Sequence, residues 1–224
     1  MTSATITDRL VALSRALIGR IRGGLAQVNV LVSMFFAGMN GSVVADTATV
    51  GALVLPAMKK AGYPAAFSAA VTGVSSTIGG IIPPSIMMIV LANSTEISIA
   101  ALFAAGIIPG ILIGVVIMII NHYFAIKYNF ERSDEPFSIR RAGKELYRSS
   151  FALLIPLVLV GSVMGGVASV VEAGAITAMV ALLTGVFVYR TIKWKECTGA
   201  FRRAFRNSAM VFIIIAASGP VSWL

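Results

Sequence analysis

Ser75-Ser76-Thr77-Ile78-Gly79-Gly80-Ile81-Ile82-Pro83-Pro84-Ser85 is the stretch whose reading decides the fold. Two consecutive prolines remove two backbone donors and push the residue before them out of helical geometry, while the glycine pair upstream adds conformational freedom. A helix entering this run breaks there. The surrounding sequence from Ala61 to Ile126 has Glu96 as its sole charge, so the break falls inside membrane-spanning sequence. Non-helical backbone at that depth is tolerated only where protein or a watery cavity satisfies its polar groups. Residues 61–92 therefore read as one discontinuous span, two half-helices around an unwound segment. After the turn Asn93-Ser94-Thr95-Glu96 an ordinary span containing Pro109 follows, so that 61–126 forms a broken span and its successor.

Composition sets the solvent. The 224 residues are 58% hydrophobic and 12% charged, against roughly 25% charged in soluble chains. That excludes a cytosolic enzyme, a secreted disulfide scaffold and a disordered tail. Cys197 is the single cysteine, which rules out an intrachain disulfide or a thiolate metal site. At about 20 apolar residues per crossing there is room for roughly five or six spans. In a soluble protein the net charge of +9 would suggest nucleic acid; here the placement of the charges says more. All 18 basic residues fall in Arg9–Arg22, Lys59-Lys60, Lys127–Arg148 and Arg190–Arg206. The rule that cytoplasmic loops retain Lys and Arg places every cluster on the cytoplasmic side.

Each apolar stretch between clusters must then leave and return. Residues 23–58 carry Asp46 as their only charge and are interrupted at Gly38-Met39-Asn40-Gly41-Ser42. Each arm, at about 1.5 Å per residue, reaches only about 22 Å, short of the ~30 Å hydrocarbon core. A re-entrant hairpin is the expectation. Residues 1–22 form a basic amphipathic lead-in without a secretory cleavage pattern. Within 127–148, Ile139, Ala142, Leu146 and Tyr147 alternate at helical spacing with Arg140, Arg141, Lys144 and Arg148, which suggests an interfacial helix on the anionic inner leaflet. Residues 149–189 fit two short spans turning near Gly165-Gly166, or a second hairpin. Residues 190–206 are a basic link and 207–224 begin a further apolar segment.

A polar hairpin tip and a broken helix at the midplane are the parts from which many secondary transporters build a site, where freed carbonyls and hydroxyls coordinate Na⁺ and half-helix N-termini face anionic groups. Hard oxygen donors abound in Asn40, Ser42, Thr47, Ser75, Ser76 and Thr77, while soft ligands are scarce, so no transition metal is expected and Na⁺ is the natural cation. Each candidate also has a plain structural reading. Asp46 either sits in the first turn of the returning arm for the helix dipole or takes part in cation or substrate binding. Ser42 is an N-cap or a ligand, and Ser75, Ser76 and Thr77 either back-bond within the half-helix or ligate. Glu172 reads as a turn or capping carboxylate and His122 as an interfacial side chain.

Taken together, Arg22-Gly23-Gly24-Leu25-Ala26, Phe36-Ala37-Gly38-Met39-Asn40-Gly41-Ser42-Val43-Val44-Ala45-Asp46, Pro56-Ala57-Met58-Lys59-Lys60-Ala61-Gly62-Tyr63, Ser75 to Ile86 and Ala105-Gly106-Ile107-Ile108-Pro109-Gly110 resemble the large membrane subunit of tripartite ATP-independent periplasmic (TRAP) transporters, the DctM-like family. The resemblance implies an elevator-type, Na⁺-driven importer of organic acids such as C4-dicarboxylates or sialic acid. Its partners would be a small membrane subunit and a soluble periplasmic substrate-binding protein, in the bacterial inner membrane. Carried over residue by residue, it nominates Asn40, Gly41, Ser42, Ser76, Thr77, Gly79 and Gly80 for sodium, with Asp46, Pro83, Pro84 and Ser85 for substrate or for support of the site. No cofactor beyond the coupling ion is implied. Where the family usually carries a Phe-Thr-Pro-Thr-like run before the acidic residue, this chain has Ala168-Ser169-Val170-Val171. The family protein is also about twice as long, with a second inverted repeat; this chain resembles its front-to-middle portion.

The expected fold class is thus an all-α polytopic membrane protein with a re-entrant helical hairpin and a discontinuous transmembrane helix, one inverted repeat of an elevator-type transporter with part of its scaffold. The alternatives are a truncated or split membrane fragment that transports nothing alone, and a dicarboxylate–sodium symporter that needs no binding protein. An intramembrane enzyme finds no support, since one histidine and separated acids offer no Ser–His or paired-carboxylate arrangement. Cysteines introduced at positions 59 and 127 should both be labelled from the cytoplasm by a membrane-impermeant maleimide; periplasmic labelling of either would overturn the topology.

Overall fold

Glycines, prolines and capping serines punctuate this chain, and many of its helices begin or end on them. The computed structural model describes residues 2–18, 21–130, 138–188 and 194–218, and among them every regular element is helical. In order these are α1 (Thr2–Ile18), α2 (Gly24–Asn40), α3 (Val43–Lys60), α4 (Ala65–Ser76), a 3₁₀ turn (Thr77–Gly80), α5 (Ile86–Thr95), α6 (Ile99–Lys127), α7 (Ile139–Met164), α8 (Val170–Leu183), a π turn (Thr184–Val188) and α9 (Trp194–Ser218). Two units are distinguished. One is Ile6–Ala181; the other combines Met1–Thr5 with Leu182–Leu224.

The first unit is organised around α2, which is buried on nearly every side. Ala26, Val28, Val30, Val32 and Phe36 are all in the core, together with Gln27, Asn29 and Ser33. A helix apolar all round is a core helix, and α3, α4, α6 and the 3₁₀ turn pack against it. Its partner α3 returns from a two-residue link, Gly41-Ser42, and lays Val50, Val54 and Met58 into the same core. Near the far ends of the two helices the Asn29 side chain approaches Met58 Sδ at 3.7 Å, which fixes them as a hairpin.

The helical run does break in the stretch quoted first. α4 tightens into the 3₁₀ turn, helical structure lapses after Gly80, the Pro83–Pro84 peptide is cis, and α5 starts only at Ile86. Ser85 restarts the helix: its hydroxyl accepts from the Met88 N–H at 3.4 Å and donates to the Gly80 carbonyl at 2.8 Å. The expected turn after α5 falls at Glu96, which adopts a left-handed conformation with φ 57°.

α6 has two contrasting faces. Ile108, Leu112, Val115, Ile119 and Tyr123 are exposed on one, while Gly106, Gly110, Gly114, Ile117, Asn121 and Ala125 are buried on the other. Exposed apolar area on this scale is a lipid face. The buried glycines let other backbone approach, as small residues do in membrane helix packing. A methyl group on Gly106 would lie 2.4 Å from the Ile81 carbonyl oxygen, and one on Gly110 2.4 Å from Ile82 Cγ1. At the other end of α6, Tyr63 and Phe130 rings meet at 4.5 Å and Phe67 and Phe130 at 5.1 Å. This aromatic cluster ties the α3–α4 link to the end of α6, bringing Lys59, Lys60 and Lys127 to one end of the bundle, as an interfacial aromatic belt does.

Among the described residues two helical stretches, Ile99–Lys127 and Val170–Phe187, are long and apolar enough to cross a membrane, and a third is counted if the bent pair Ile139–Ser150 and Ala152–Met164 is one span. The amphipathic segment and the apolar segment after it lie in one helical run, α7, which bends by 62° between Ile139–Ser150 and Ala152–Met164. Pro156 lies one turn beyond the bend, where it lacks the N–H that would bond the Ala152 carbonyl and its ring crowds that turn. The turn at Gly165-Gly166 precedes α8, with Gly166 at φ 66°. Ser169 and Glu172 then cap α8 reciprocally: the Ser169 N–H and hydroxyl donate to Glu172 Oε2 at 2.8 and 2.7 Å, and the Glu172 N–H reaches Ser169 Oγ at 3.4 Å. In the second unit α9 is an amphipathic helix with Phe201 and Phe205 exposed.

Gly106→Ala should lower the thermal midpoint of the detergent-solubilised protein, since its new carbon meets the Ile81 backbone as well as the movable Met88 side chain, at a cost of about 1–3 kcal/mol. Gly161→Ala, where nothing lies within 4 Å, should leave the midpoint unchanged or raise it slightly. Equal behaviour of the two in a fluorescence-detected melting experiment would refute the packing role of Gly106.

Candidate functional site

The hairpin tip is seated on the broken segment. Gly41 closes α2 in the left-handed region (φ 57°, ψ 14°), where its N–H still reaches the Ala37 carbonyl. Only glycine adopts this conformation freely. It is demanded twice over, because a side-chain carbon on Gly41 would stand 2.4 Å from the Pro84 carbonyl oxygen. The Gly41 carbonyl accepts the Ile86 N–H at 3.1 Å, so an amide at the start of α5 is satisfied by the tip itself. Beside it, Gly79 and Gly80 lie under the next tip residues: their missing side chains would come within 3.8 Å of the Ser42 carbonyl carbon and 3.4 Å of Val43 Cγ2.

The nominated residues are therefore brought together in large part. Gly41 meets Pro84, Ser42 lies against Gly79, and the next residue, Val43, lies against Gly80. Ser42 caps α3, its hydroxyl accepting the Ala45 N–H at 3.4 Å. Asn40 ends α2, half-buried. Pro83 and Ser85 are buried in the break, and Ser85 holds its two strands together through the bond to Gly80. Ser76 is fully buried and donates to the Thr72 carbonyl at 2.8 Å; Thr77 is exposed and donates to the Val74 carbonyl at 2.7 Å. Each hydroxyl so engaged keeps its oxygen lone pairs.

Asp46 lies one turn behind the tip and is only 1% exposed. The Ser76 and Ser33 hydroxyls face its carboxylate, but Ser76 is spent on Thr72 and Ser33 pairs with Ser75 at 3.3 Å. Among the described residues neither Asp46 oxygen completes a hydrogen bond. The polar interior continues away from the tip: Asn29 donates to Thr72 Oγ1 at 2.7 Å and Thr72 to the Ser68 carbonyl at 2.9 Å. Asn29 Oδ1 is a further buried acceptor without a donor among the described residues. This file of Ser33, Asn29, Ser68 and Thr72 did not figure among the sequence candidates. The signal was there, in polar residues four apart on both helices (Asn29 and Ser33; Ser68, Thr72 and Ser76), which is the spacing of one helix face.

The tip also has a measurable depth along α6. The break on which the tip is seated packs beside Gly106 and Gly110, while the base of α2 packs beside Ala125, where a carbon on Gly23 would meet Ala125 Cβ at 2.5 Å. From Gly110 to Ala125 is about 22 Å of helix, and α6, at 29 residues, continues beyond the tip to Ile99.

Fold and site together define a polytopic helical membrane protein whose central feature is a helical hairpin docked on a broken helix. The family model described as "Tripartite ATP-independent periplasmic transporter, DctM component" matches residues 1–224, and the chain belongs to that family. It is accordingly a multi-pass protein of the bacterial inner membrane. Among its relatives are the "C4-dicarboxylate TRAP transporter large permease protein DctM" of Pseudomonas aeruginosa, 34% identical over 96% of this chain and 50% of that protein, and the "Sialic acid TRAP transporter large permease protein SiaM" of Vibrio cholerae, 30% identical over 100% of this chain and 52% of that protein. The "2,3-diketo-L-gulonate TRAP transporter large permease protein YiaN" of Escherichia coli is 32% identical over 100% and 52% respectively. The chain spans about half the length of these curated relatives.

Gly41→Ala should undock the tip. Left-handed strain alone costs about 1–2 kcal/mol, so hydrogen–deuterium exchange at the Ile86 amide should accelerate by roughly tenfold or more, while peptides from α6 stay unchanged. Unaltered exchange at Ile86 would refute the docking.

Proposed function

We propose that this chain supplies the membrane permease of a Na⁺-coupled, binding-protein-dependent secondary transporter that imports an organic acid. The substrate class follows the relatives, whose names give C4-dicarboxylate, sialic acid and 2,3-diketo-L-gulonate. The working complex would comprise a small membrane subunit, fused in one relative, the "Isethionate TRAP transporter permease protein DctMQ", and a periplasmic protein that hands over the substrate. No bond of the substrate is made or broken, so no enzymatic chemistry is proposed.

One observation carries this reading: a buried carboxylate without a counter-charge among the described residues stands directly behind a polar hairpin tip whose backbone is tied to a broken helix. An ionised Asp46 at 1% exposure is costly unless a cation or proton compensates it. The groups around it are hydroxyls and carbonyls, hard oxygen donors suited to Na⁺ and unsuited to a transition metal. Ser42, Ser76, Thr77 and the backbone at Asn40, Gly41, Gly79 and Gly80 would hold the ion. Bound there, Na⁺ would offset the Asp46 charge and lend the site affinity for a substrate carboxylate, with Pro83, Pro84 and Ser85 shaping the wall. The depth of the tip along α6 supports a hairpin that ends inside the bilayer. The docking of Gly41 on α5 supports movement of hairpin and broken helix as one body, the element an elevator-type cycle requires.

The test is uptake of radiolabelled organic acid into proteoliposomes containing the complete complex. Ser42→Ala should raise the Na⁺ concentration for half-maximal uptake by about tenfold, the loss expected when one bond to a charged partner disappears, and Asp46→Asn should raise it further. Sodium dependence identical to that of the parent protein in both variants would sink the assignment.

A further inference from the structure

We infer that the first half of α7 is a docking shelf for anionic lipid headgroups, held at a fixed angle to the span that follows it. The segment Ile139–Ser150 presents three faces. At about 100° per residue, Ser149, fully buried, marks the face turned to the protein, flanked by half-buried Ala142 and Glu145. Adjoining it is an apolar face on which Ile139 is 79% and Leu146 51% exposed, with Tyr147 at 81% on its border. Across from both lie Arg140, Arg141, Lys144 and Arg148, four cations against the single carboxylate of Glu145, which pairs with Arg148 at 3.3 Å. Protein on one flank, bare apolar side chains beneath and cations above is the arrangement of a helix lying in the membrane interface. Cations with exposed apolar neighbours match an anionic lipid surface better than an acidic protein, which would leave Ile139 and Leu146 in water.

A second observation is independent of that pattern. The helix bends by 62° between Ile139–Ser150 and Ala152–Met164, and α1 clasps it at that point. The Arg9 guanidinium donates to the Arg148 carbonyl at 2.8 Å, and Ser149 Oγ reaches the Arg9 carbonyl at 3.5 Å. A cation on a carbonyl at the end of a helical segment is a favourable cap. With Arg9 in place, the shelf is set at an angle to the apolar half. An angle of this size is what a helix needs to leave the plane of the interface and enter the hydrocarbon.

The test uses the full chain reconstituted into vesicles of phosphatidylcholine, with or without phosphatidylglycerol. Gly143 lies between the apolar and cationic faces and has open space around it, and Cys197 is the sole cysteine. Gly143→Cys on Cys197→Ser, labelled with an environment-sensitive fluorophore, should show a blue-shifted emission and reduced aqueous quenching when phosphatidylglycerol is present. About 1 M salt, where charge interactions reach only ~3 Å, should abolish the difference. Replacing Arg140, Lys144 and Arg148 by Gln should weaken the preference for phosphatidylglycerol by about fivefold per charge, whereas replacement of the two arginines by Lys should retain it. Identical emission in both vesicle types, a difference that survives high salt, or shielding that develops only on addition of a second protein would each overturn the inference. The salt titration needs no charge variant, so it decides the matter even where the Gln protein fails to fold.

Discussion

Backbone that leaves helical geometry inside a bilayer must find its hydrogen bonds within the protein, because water is not there to supply them. The remainder of this structure follows from how residues 77–86 meet that demand. The Ile86 amide is satisfied by the Gly41 carbonyl, and the Gly80 carbonyl by the Ser85 hydroxyl. One of these partners lies within the break and the other on the hairpin. The break is therefore completed only when the tip is present, and the tip reaches it only because Gly41 has no side chain to strike the Pro84 carbonyl. Gly79 and Gly80 complete the fit from the other side. An interface between two otherwise fragile pieces thus replaces the hydrogen bonds that a continuous helix would have made internally.

The same logic explains why α6 is glycine-rich on one side. A break seated beside a membrane helix brings carbonyls such as that of Ile81 close to its axis, and Gly106 and Gly110 leave the room. On the opposite side the helix is free to be as apolar as the lipid requires. Association in a membrane gains little from burying apolar surface, since lipid is equally apolar, so close packing of small residues and internal hydrogen bonds must hold the unit together. The Asn29–Thr72 and Ser33–Ser75 contacts between α2 and α4 are bonds of that kind.

Much of this was legible in the sequence, and the parts that were not have identifiable causes. Pro83-Pro84 and Gly79-Gly80 announce the break, because proline and glycine act on the backbone locally and irrespective of neighbours. Gly41-Ser42 announces the hairpin link for the same reason. The glycine face of α6 went unremarked because a membrane helix tolerates glycine on any side, and only the approach of Ile81, Ile82 and Met34 gives Gly106, Gly110 and Gly114 their meaning. Asn29 and Thr72 were missed because their roles depend on a partner 43 residues away. The bend in α7 is announced in part by Pro156, but its clasp comes from Arg9 on a different helix. Local chemistry is visible in the sequence, whereas chemistry made by juxtaposition needs the fold.

Asp46 joins both levels. Its place in the first turn of α3 suits a carboxylate near a helix N-terminus, where the dipole offers a partial positive charge. That contribution, about 0.3–1 kcal/mol at exposed sites and up to ~2 kcal/mol when partly buried, is small beside the several kcal/mol it costs to bury an ion. The groups facing it, the Ser76 and Ser33 hydroxyls, carry no positive charge, so hydroxyls and dipole together leave the charge uncompensated. A purely structural acid at this position would be better replaced by serine or asparagine, which could cap or pack without the burden. The imbalance favours a role in which the carboxylate is compensated by something that comes and goes, and the proposed coupling ion is the occupant that the surrounding oxygens suit.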